Sequence, residues 1–372
     1  MEQTPVIFRS EKFDAWLAAP LQQRIIAVLS VASIEPIFVG GCVRDILLGR
    51  PSHDLDIRVT ASLQQVVESL EIAGLPCDIE AGDIGLIGTQ MDETPVDIIS
   101  LPAWLAYKGI NAQGLTREEM IGQWMADSDF TINSLALLPD GTAYNYHHAL
   151  EDLAAGRIRF VSDDVEASFT QRPDQIIRFI RFQALFGQEL ASDDIYALFR
   201  KHAHLLETVE PVRMQYPMNL ILASEKPYAM LEQLHRYGIL RYILGFDIID
   251  CELIAALEQI EAVVCAPAQP SVRLLLLLTQ AQMLPERALA LLFERWDFSE
   301  GNRQILTLLL EKLSELEADS DEATLARLMQ ELGGLFPSLV LSRWALEPDV
   351  KAAASSYQPM LESYRAQKAA SA

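Results

Sequence analysis

Hydrophobic and polar positions change rhythm once along the chain, near residue 150. Before that point, short apolar or alternating runs predict strands. Pro36-Ile-Phe-Val39 is a continuous apolar run stopped by Gly40-Gly41. Asp54-Leu-Asp-Ile-Arg-Val59 alternates polar and apolar side chains, the period-2 pattern of a half-exposed strand. Residues 84–88 and 95–100 read as two further short strands, and Pro139-Asp-Gly141 predicts a hairpin turn between 132–138 and 143–146. Residues 62–73 instead carry apolar side chains at helical spacing, with Ser62 as the predicted N-cap. This first part therefore reads as helices around a small mixed sheet.

After residue 150 the strand signals fade. Stretches 175–186, 212–224, 229–240, 273–282 and 304–316 keep a helical period, and Pro211, Pro227, Pro267, Pro270 and Pro285 sit between them as breakers. Residues 368–372 are expected to fray. The fold class is α+β, an α/β head over 1–150 followed by an all-helical remainder.

Composition narrows the class. Length allows two or three domains with ample core, and half the residues are apolar, which excludes a disordered chain. Twenty-nine basic residues face 52 acidic ones, a net charge of −23. Such an excess argues against a whole-surface polyanion binder, although it leaves room for a local basic groove. Four cysteines without metal-ligand spacing, an opening segment unlike a secretory signal, and no apolar run near the ~20 residues that span a bilayer predict a cytoplasmic protein with no membrane partner.

The candidate chemistry lies in Phe38-Val-Gly-Gly-Cys-Val-Arg-Asp45 and Asp54-Leu-Asp56. Paired glycines after a strand let backbone approach a ligand, and the next helix start offers N–H groups to an anion. Arg44, in its first turn, can add a charge-assisted contact to phosphate. Asp54 and Asp56 are two apart on a strand, so both carboxylates leave the same face, as a Mg²⁺ site shared with substrate phosphates requires. Either half alone reads first as an ordinary strand–helix turn or a pair of solvated acids; the order of the two makes the pattern specific.

These motifs resemble the signature of class II tRNA nucleotidyltransferases and bacterial poly(A) polymerases, members of the polymerase β-like superfamily. The likeness continues in Asp129-Phe-Thr-Ile-Asn-Ser134, in Glu151-Asp-Leu-Ala-Ala-Gly-Arg-Ile-Arg159, in Arg178-Phe-Ile-Arg-Phe182 and in Glu210-Pro-Val-Arg213. It covers about residues 35–245. The resemblance implies a nucleotidyltransferase head (1–150), a helical neck (151–245) and a helical body and tail (246–372). It implies Asp54 and Asp56 as Mg²⁺ ligands, and Gly40, Gly41 and Arg44 as holders of the triphosphate. A third carboxylate comes from a neighbouring strand in that family, and Asp97 is its candidate here, the alternative being a plain edge-strand acid. Asp129, Asn133, Arg172, Gln175, Arg178 and Arg181 fall on the nucleotide-facing segments. The implied partners are an NTP (ATP and/or CTP) and an RNA 3′ end, with tRNA the first acceptor.

Departures gather in the nucleotide-selecting elements. Asp127 and Ser128 stand where the family usually has two arginines, Pro102 where an arginine commonly follows the third-carboxylate strand, and Gln171-Arg-Pro-Asp-Gln175 where it carries E-D-x-x-R. Gln cannot reproduce the charge or fork of Arg. Different nucleotide selection, a non-tRNA acceptor and a non-catalytic RNA- or nucleotide-binding paralogue all remain open at this stage. The basic residues Arg157, Arg159, Arg172, Arg200, Lys201 and Arg213 are expected to pair with local acids, and Arg178 and Arg181 to line an RNA or triphosphate cleft. The histidine pairs His147-His148 and His202-x-His204 are expected to be surface or capping residues, not ligands.

Overall fold

The computed structural model describes residues 5–52 and 54–370. They form two compact units, divided between Val165 and Glu166. In the first unit the strands are β1 (Val6–Phe8), β2 (Ile37–Val39), β3 (Leu55–Val59), β4 (Cys77–Ala81), β5 (Leu86–Met91), β6 (Thr94–Ser100), β7 (Leu135–Leu137) and β8 (Ala143–Asn145). They make one sheet in the order β1-β8-β7-β2-β3-β6-β5-β4, in which β3 and β6 are the parallel pair. The sheet is larger than the sequence pattern predicts. Two strands that the alternation did not reveal, β1 and β4, close its two edges.

Seven helices surround the sheet: α1 (Glu11–Leu17), α2 (Pro20–Ser30), α3 (Gly41–Leu48), α4 (Leu63–Ile72), α5 (Leu101–Tyr107), α6 (Arg117–Ala126) and α7 (Ala149–Ala154). One sheet face buries Phe38, Leu55, Ile57, Val59 and Ile98 against Phe13, Ile25, Val43, Val66 and Leu70 of α1–α4. The opposite face buries Ile37, Val39, Ala136 and Tyr144 against Ile121 and Met125 of α6. The alternation of β3 follows directly: its apolar positions enter the first core, and its polar positions face the α6 side. Ser62 caps α4 as predicted, in a capping box with Gln65 that satisfies two orphan N–H groups. The turn at 139–141 closes the β7–β8 hairpin, with Gly141 at φ 82° and the Leu138 N–H donating to the Thr142 carbonyl at 2.8 Å.

Residues beyond α7 still pack with the sheet unit, through an isolated bridge between Phe130 and Phe160. The second unit is helical: α8 (Val165–Gln171, beginning at the unit boundary), α9 (Asp174–Phe186), α10 (Asp193–His202), α11 (Pro211–Ala223), and further helices to the last, Ala354–Ala370. That last helix runs through the segment expected to fray as far as Ala370; residues 371–372 lie outside the described ones. Arg273 is fully buried, donating to the Leu222 and Ser224 carbonyls at the end of α11 and pairing with Glu261 at 2.6 Å. No helix among the described residues is long and apolar enough to cross a membrane.

Candidate active site

Gly40 sits between β2 and α3 with φ 68° and ψ −125°, a backbone conformation that glycine alone adopts readily. A Cβ there would have room, its nearest neighbour being the Asn133 carbonyl oxygen at 3.9 Å. Conformation, not space, therefore demands this glycine. Its carbonyl accepts the Arg44 N–H at 3.1 Å and so starts α3. At Gly41, a Cβ would stand 3.6 Å from the Arg44 guanidinium, which lies across the turn.

Arg44 is buried and braces two segments. It grips Asp45 through Nε and Nη2 at 2.9 and 3.0 Å, and donates from Nη1 to Asn133 Oδ1 at 2.6 Å. Asn133 in turn donates to Asp129 Oδ1 at 2.9 Å, and that oxygen also accepts the Phe130 N–H at 2.8 Å. The sequence motifs around Gly40 and Asp129 are thus one hydrogen-bonded assembly. Behind it stands Asp152, fully buried, which accepts from Thr131 Oγ1 at 2.6 Å and pairs with Arg159 at 2.8 Å and Arg157 at 3.2 Å. Asp152 fixes the short 3₁₀ turn Thr131–Asn133, which presents Asn133 to Arg44.

The carboxylates lie on the α6 side of the sheet. In the parallel β3–β6 register Asp56 stands opposite Asp97, and Asp54 immediately precedes β3, two residues before Asp56. The Asp54 carboxyl is raised above the ordinary aspartate value by desolvation first, then by the charges of Asp56 and Asp45. Asp97 is raised in the same way, by desolvation and then by Asp56 and Glu80. Glu80 reaches this neighbourhood because Gly88, the register partner of Asp97, has no side chain where the Glu80 carboxylate lies. Buried Cys42, whose thiol is pushed up to about 12 chiefly by burial, packs beneath with Sγ 4.0 Å from the Asp56 carbonyl.

Desolvation and mutual repulsion among these carboxylates outweigh the opposing charges of Arg44 and Arg58, an electrostatic condition that favours a hard divalent cation. Among the described residues no three acidic, histidine or cysteine side chains converge into a formed ligand cluster. Mg²⁺ needs only one or two protein carboxylates when substrate phosphates and water complete its shell, and Asp56 on β3 with Asp54 just before it meets that need. The donor set therefore fits the ion.

One member of this surface escaped the sequence reading. Arg58, two residues beyond Asp56 on the same strand face, is buried; its Nη2 lies 3.4 Å from Asp56 Oδ1 and its guanidinium 4.1 Å from the Trp124 ring centroid. Desolvation lowers its pKa, opposed first by the Asp56 charge. The spacing 54, 56, 58 is the signal that would have found it.

In the second unit, Arg178 and Arg181 are half-buried on α9, and Arg181 lies 4.4 Å from the Phe182 ring and 5.7 Å from that of Tyr216. Gln175 is buried, and its Oε1 has no hydrogen-bond partner. Arg172 is exposed, and Asp174 pairs with Arg213 at 3.8 Å. Arg157, Arg159, Lys201 and Arg213 each pair with an acid, as expected from the local charge. His148 begins α7, and His202 meets Glu166 at 2.6 Å. Asp127, which replaces a family arginine, is paired with Lys108 at 2.8 Å.

The unit that carries the glycine turn and these acids is similar to known polymerase head domains. Residues 37–159 match the family described as poly A polymerase head domain, and residues 192–246 match the probable RNA and SrmB- binding site of polymerase A. A CCA-adding enzyme of Leuconostoc mesenteroides is 31% identical over 231 residues, 61% of this chain and 56% of that protein. Poly(A) polymerase I of Haemophilus influenzae is 28% identical over 232 residues, 58% of this chain and 49% of that protein. The chain thus spans about half the length of these curated relatives. Among solved structures, a tRNA nucleotidyltransferase complexed with a primer tRNA and an incoming ATP analog superposes with a TM-score of 0.68 at 20% identity, covering 92% of this chain and 98% of that one. The Thermotoga maritima CCA-adding enzyme complexed with tRNA gives 0.66 at 17%, covering 97% and 86%. Residues 37–159 thus match the poly A polymerase head domain, and the chain is similar to CCA-adding enzymes and poly(A) polymerases over about 60% of its length.

Proposed function

We propose that this protein is a cytoplasmic, Mg²⁺-dependent nucleotidyltransferase that moves an NMP from ATP and/or CTP to an RNA 3′ end, with tRNA as the first acceptor. The observation that carries the proposal is the pairing of Asp56 with Asp97 in register, Asp54 two residues away, beside a glycine turn that demands φ > 0. Asp54 and Asp56 would hold the metal, which would supply activation of the attacking hydroxyl and charge neutralisation at the leaving group. The RNA 3′-oxygen bonds to the α-phosphorus as the bond to the bridging oxygen breaks and pyrophosphate departs. Asp97, with its raised proton affinity, accepts the hydroxyl proton. Gly40 and Gly41 bring backbone to the triphosphate, and Arg44, Asn133 and Asp129 hold that turn in shape.

In the helical unit we assign Arg172, Gln175, Arg178 and Arg181 to the nucleotide; the unpartnered, buried Gln175 Oε1 suits an acceptor reserved for a base edge. The Lys108–Asp127 pair, standing where the family has an arginine, favours altered nucleotide selection as the second reading. Purified protein incubated with Mg²⁺, each labelled NTP and tRNA lacking its 3′ end is expected to incorporate label. Asp54→Ala and Asp56→Ala should each lower incorporation by at least about a thousandfold. Equal incorporation by both variants would overturn the metal assignment, and incorporation into other RNA alone would move the acceptor.

A further inference from the structure

The acid face of β3 carries its own cation. Arg58 is 7% exposed, and three contacts fix its guanidinium. Nη1 donates to the Ile57 carbonyl at 2.8 Å, the guanidinium lies over Trp124 at 4.1 Å, and Nη2 stands 3.4 Å from Asp56 Oδ1. Nε is buried with no hydrogen-bond partner. A side chain serving only to pack would not keep a charged group at this desolvation cost. A side chain serving only to bind Asp56 would close to the 2.7–2.9 Å of a charge-assisted bond. Here the backbone carbonyl and the indole hold the guanidinium at a long 3.4 Å from Asp56 Oδ1, so that it keeps positive charge beside the carboxylate through only a weak hydrogen bond.

Arg44, the other buried cation nearby, is held by Asp45, and its charge acts on Asp54 only after desolvation and the charges of Asp56 and Asp45. The groups that face Arg58 are Asp56 and, across the β3–β6 register, Asp97, with the Cys42 thiol as the remaining titratable neighbour.

We infer that Arg58 is a resident counter-cation of the carboxylate face: it positions Asp56 and weakens divalent-ion binding by the protein alone, so that tight metal binding requires the phosphates of the nucleotide. This rests on the assignment of Asp54 and Asp56 as metal ligands. Removing one positive charge beside the ligands then tightens, instead of weakens, the hold on a divalent ion.

The test is Mn²⁺ binding to the full chain without nucleotide, read by the loss of the free-ion electron paramagnetic resonance signal. Arg58→Gln is expected to bind Mn²⁺ about tenfold more tightly than the parent, the change that ~1.4 kcal/mol produces. Arg58→Lys, which keeps the charge, is expected to match the parent. Unchanged or weaker binding by folded Arg58→Gln overturns the inference, since a purely structural arginine would move affinity in that direction or not at all. The parent protein gives an independent reading should the neutral variant not fold: a non-hydrolysable ATP analogue must tighten Mn²⁺ binding beyond the ion's affinity for the analogue itself, and no tightening overturns the inference. Adding Asp56→Asn to Arg58→Gln separates the two ideas. If the double variant keeps the tight binding, the metal assignment has failed; if the assignment holds, it loses it.

Discussion

Asp54 and Asp97 each work against the fold that carries them. The Asp54 and Asp97 carboxyls hold protons more tightly in the folded chain than at the ordinary aspartate value of 3.8. Their favourable contribution is complete below that value and is lost as pH rises through the raised folded value, so the ionised groups burden the native state at neutral pH. Asp54→Asn is therefore expected to raise the neutral-pH melting temperature by about 1–3 °C, with the gap to the parent closing as pH falls toward the acid range. Thermal melts of the metal-free protein over a pH series check this, and a lower melting temperature for the variant would contradict it. Arg58 shows what single-residue reading misses. Its alternation with Asp54 and Asp56 was visible, but a polar residue in a half-exposed strand reads as solvent-facing. Burial comes from Trp124, supplied by α6 from a distant part of the chain.

At the scale of elements, the two motifs recognised separately in the sequence are joined through Arg44–Asn133 and backed by Asp152. Asp152→Asn removes the charge that Arg157 and Arg159 share and weakens the acceptor of Thr131. Both arginines are about half exposed, so solvent compensates them, and the cost falls nearer to about 1–3 kcal/mol than to the larger penalty of a fully buried broken pair. Urea titration should show that loss. Nucleotide incorporation should fall further than stability explains, because the Thr131–Asn133 turn would no longer hold Asn133 against Arg44. The strands β2, β3, β6, β7 and β8 were legible because apolar runs or alternation announced them, and the Ser62 cap and the 139–141 turn because their chemistry is local. β1 and β4 were not. They are edge strands with exposed apolar positions, Val6 and Ile7 in one and Ile79 in the other, and their pairing partners decide them more than their own pattern does. The candidate acids and glycines were readable from spacing alone, whereas the hydrogen-bonded assembly behind them depends on contacts up to 89 residues apart.

For the whole molecule, the charge of −23 is unevenly shared. Residues 1–165 hold 10 basic and 24 acidic side chains, a net of −14, and residues 166–372 hold 19 and 28, a net of −9. The helical unit is thus the less hostile to a polyanion, yet several of its cations are committed to neighbouring acids. Binding to tRNA is therefore expected to have a shallow salt dependence, with a log–log slope corresponding to about three phosphate contacts or fewer. Filter binding across a KCl series measures that slope, and a steep one would reveal a phosphate-binding surface that the net charge conceals. The sheet itself ends on one side with only three residues of β1, whose pairing covers the backbone edge of β8. An affinity tag or proteolytic nick that lifts Val6–Phe8 away would leave the candidate acids where they are. It would, however, turn β8 into an open template for another chain, so handling of the N-terminal segment governs whether preparations stay dispersed or aggregate.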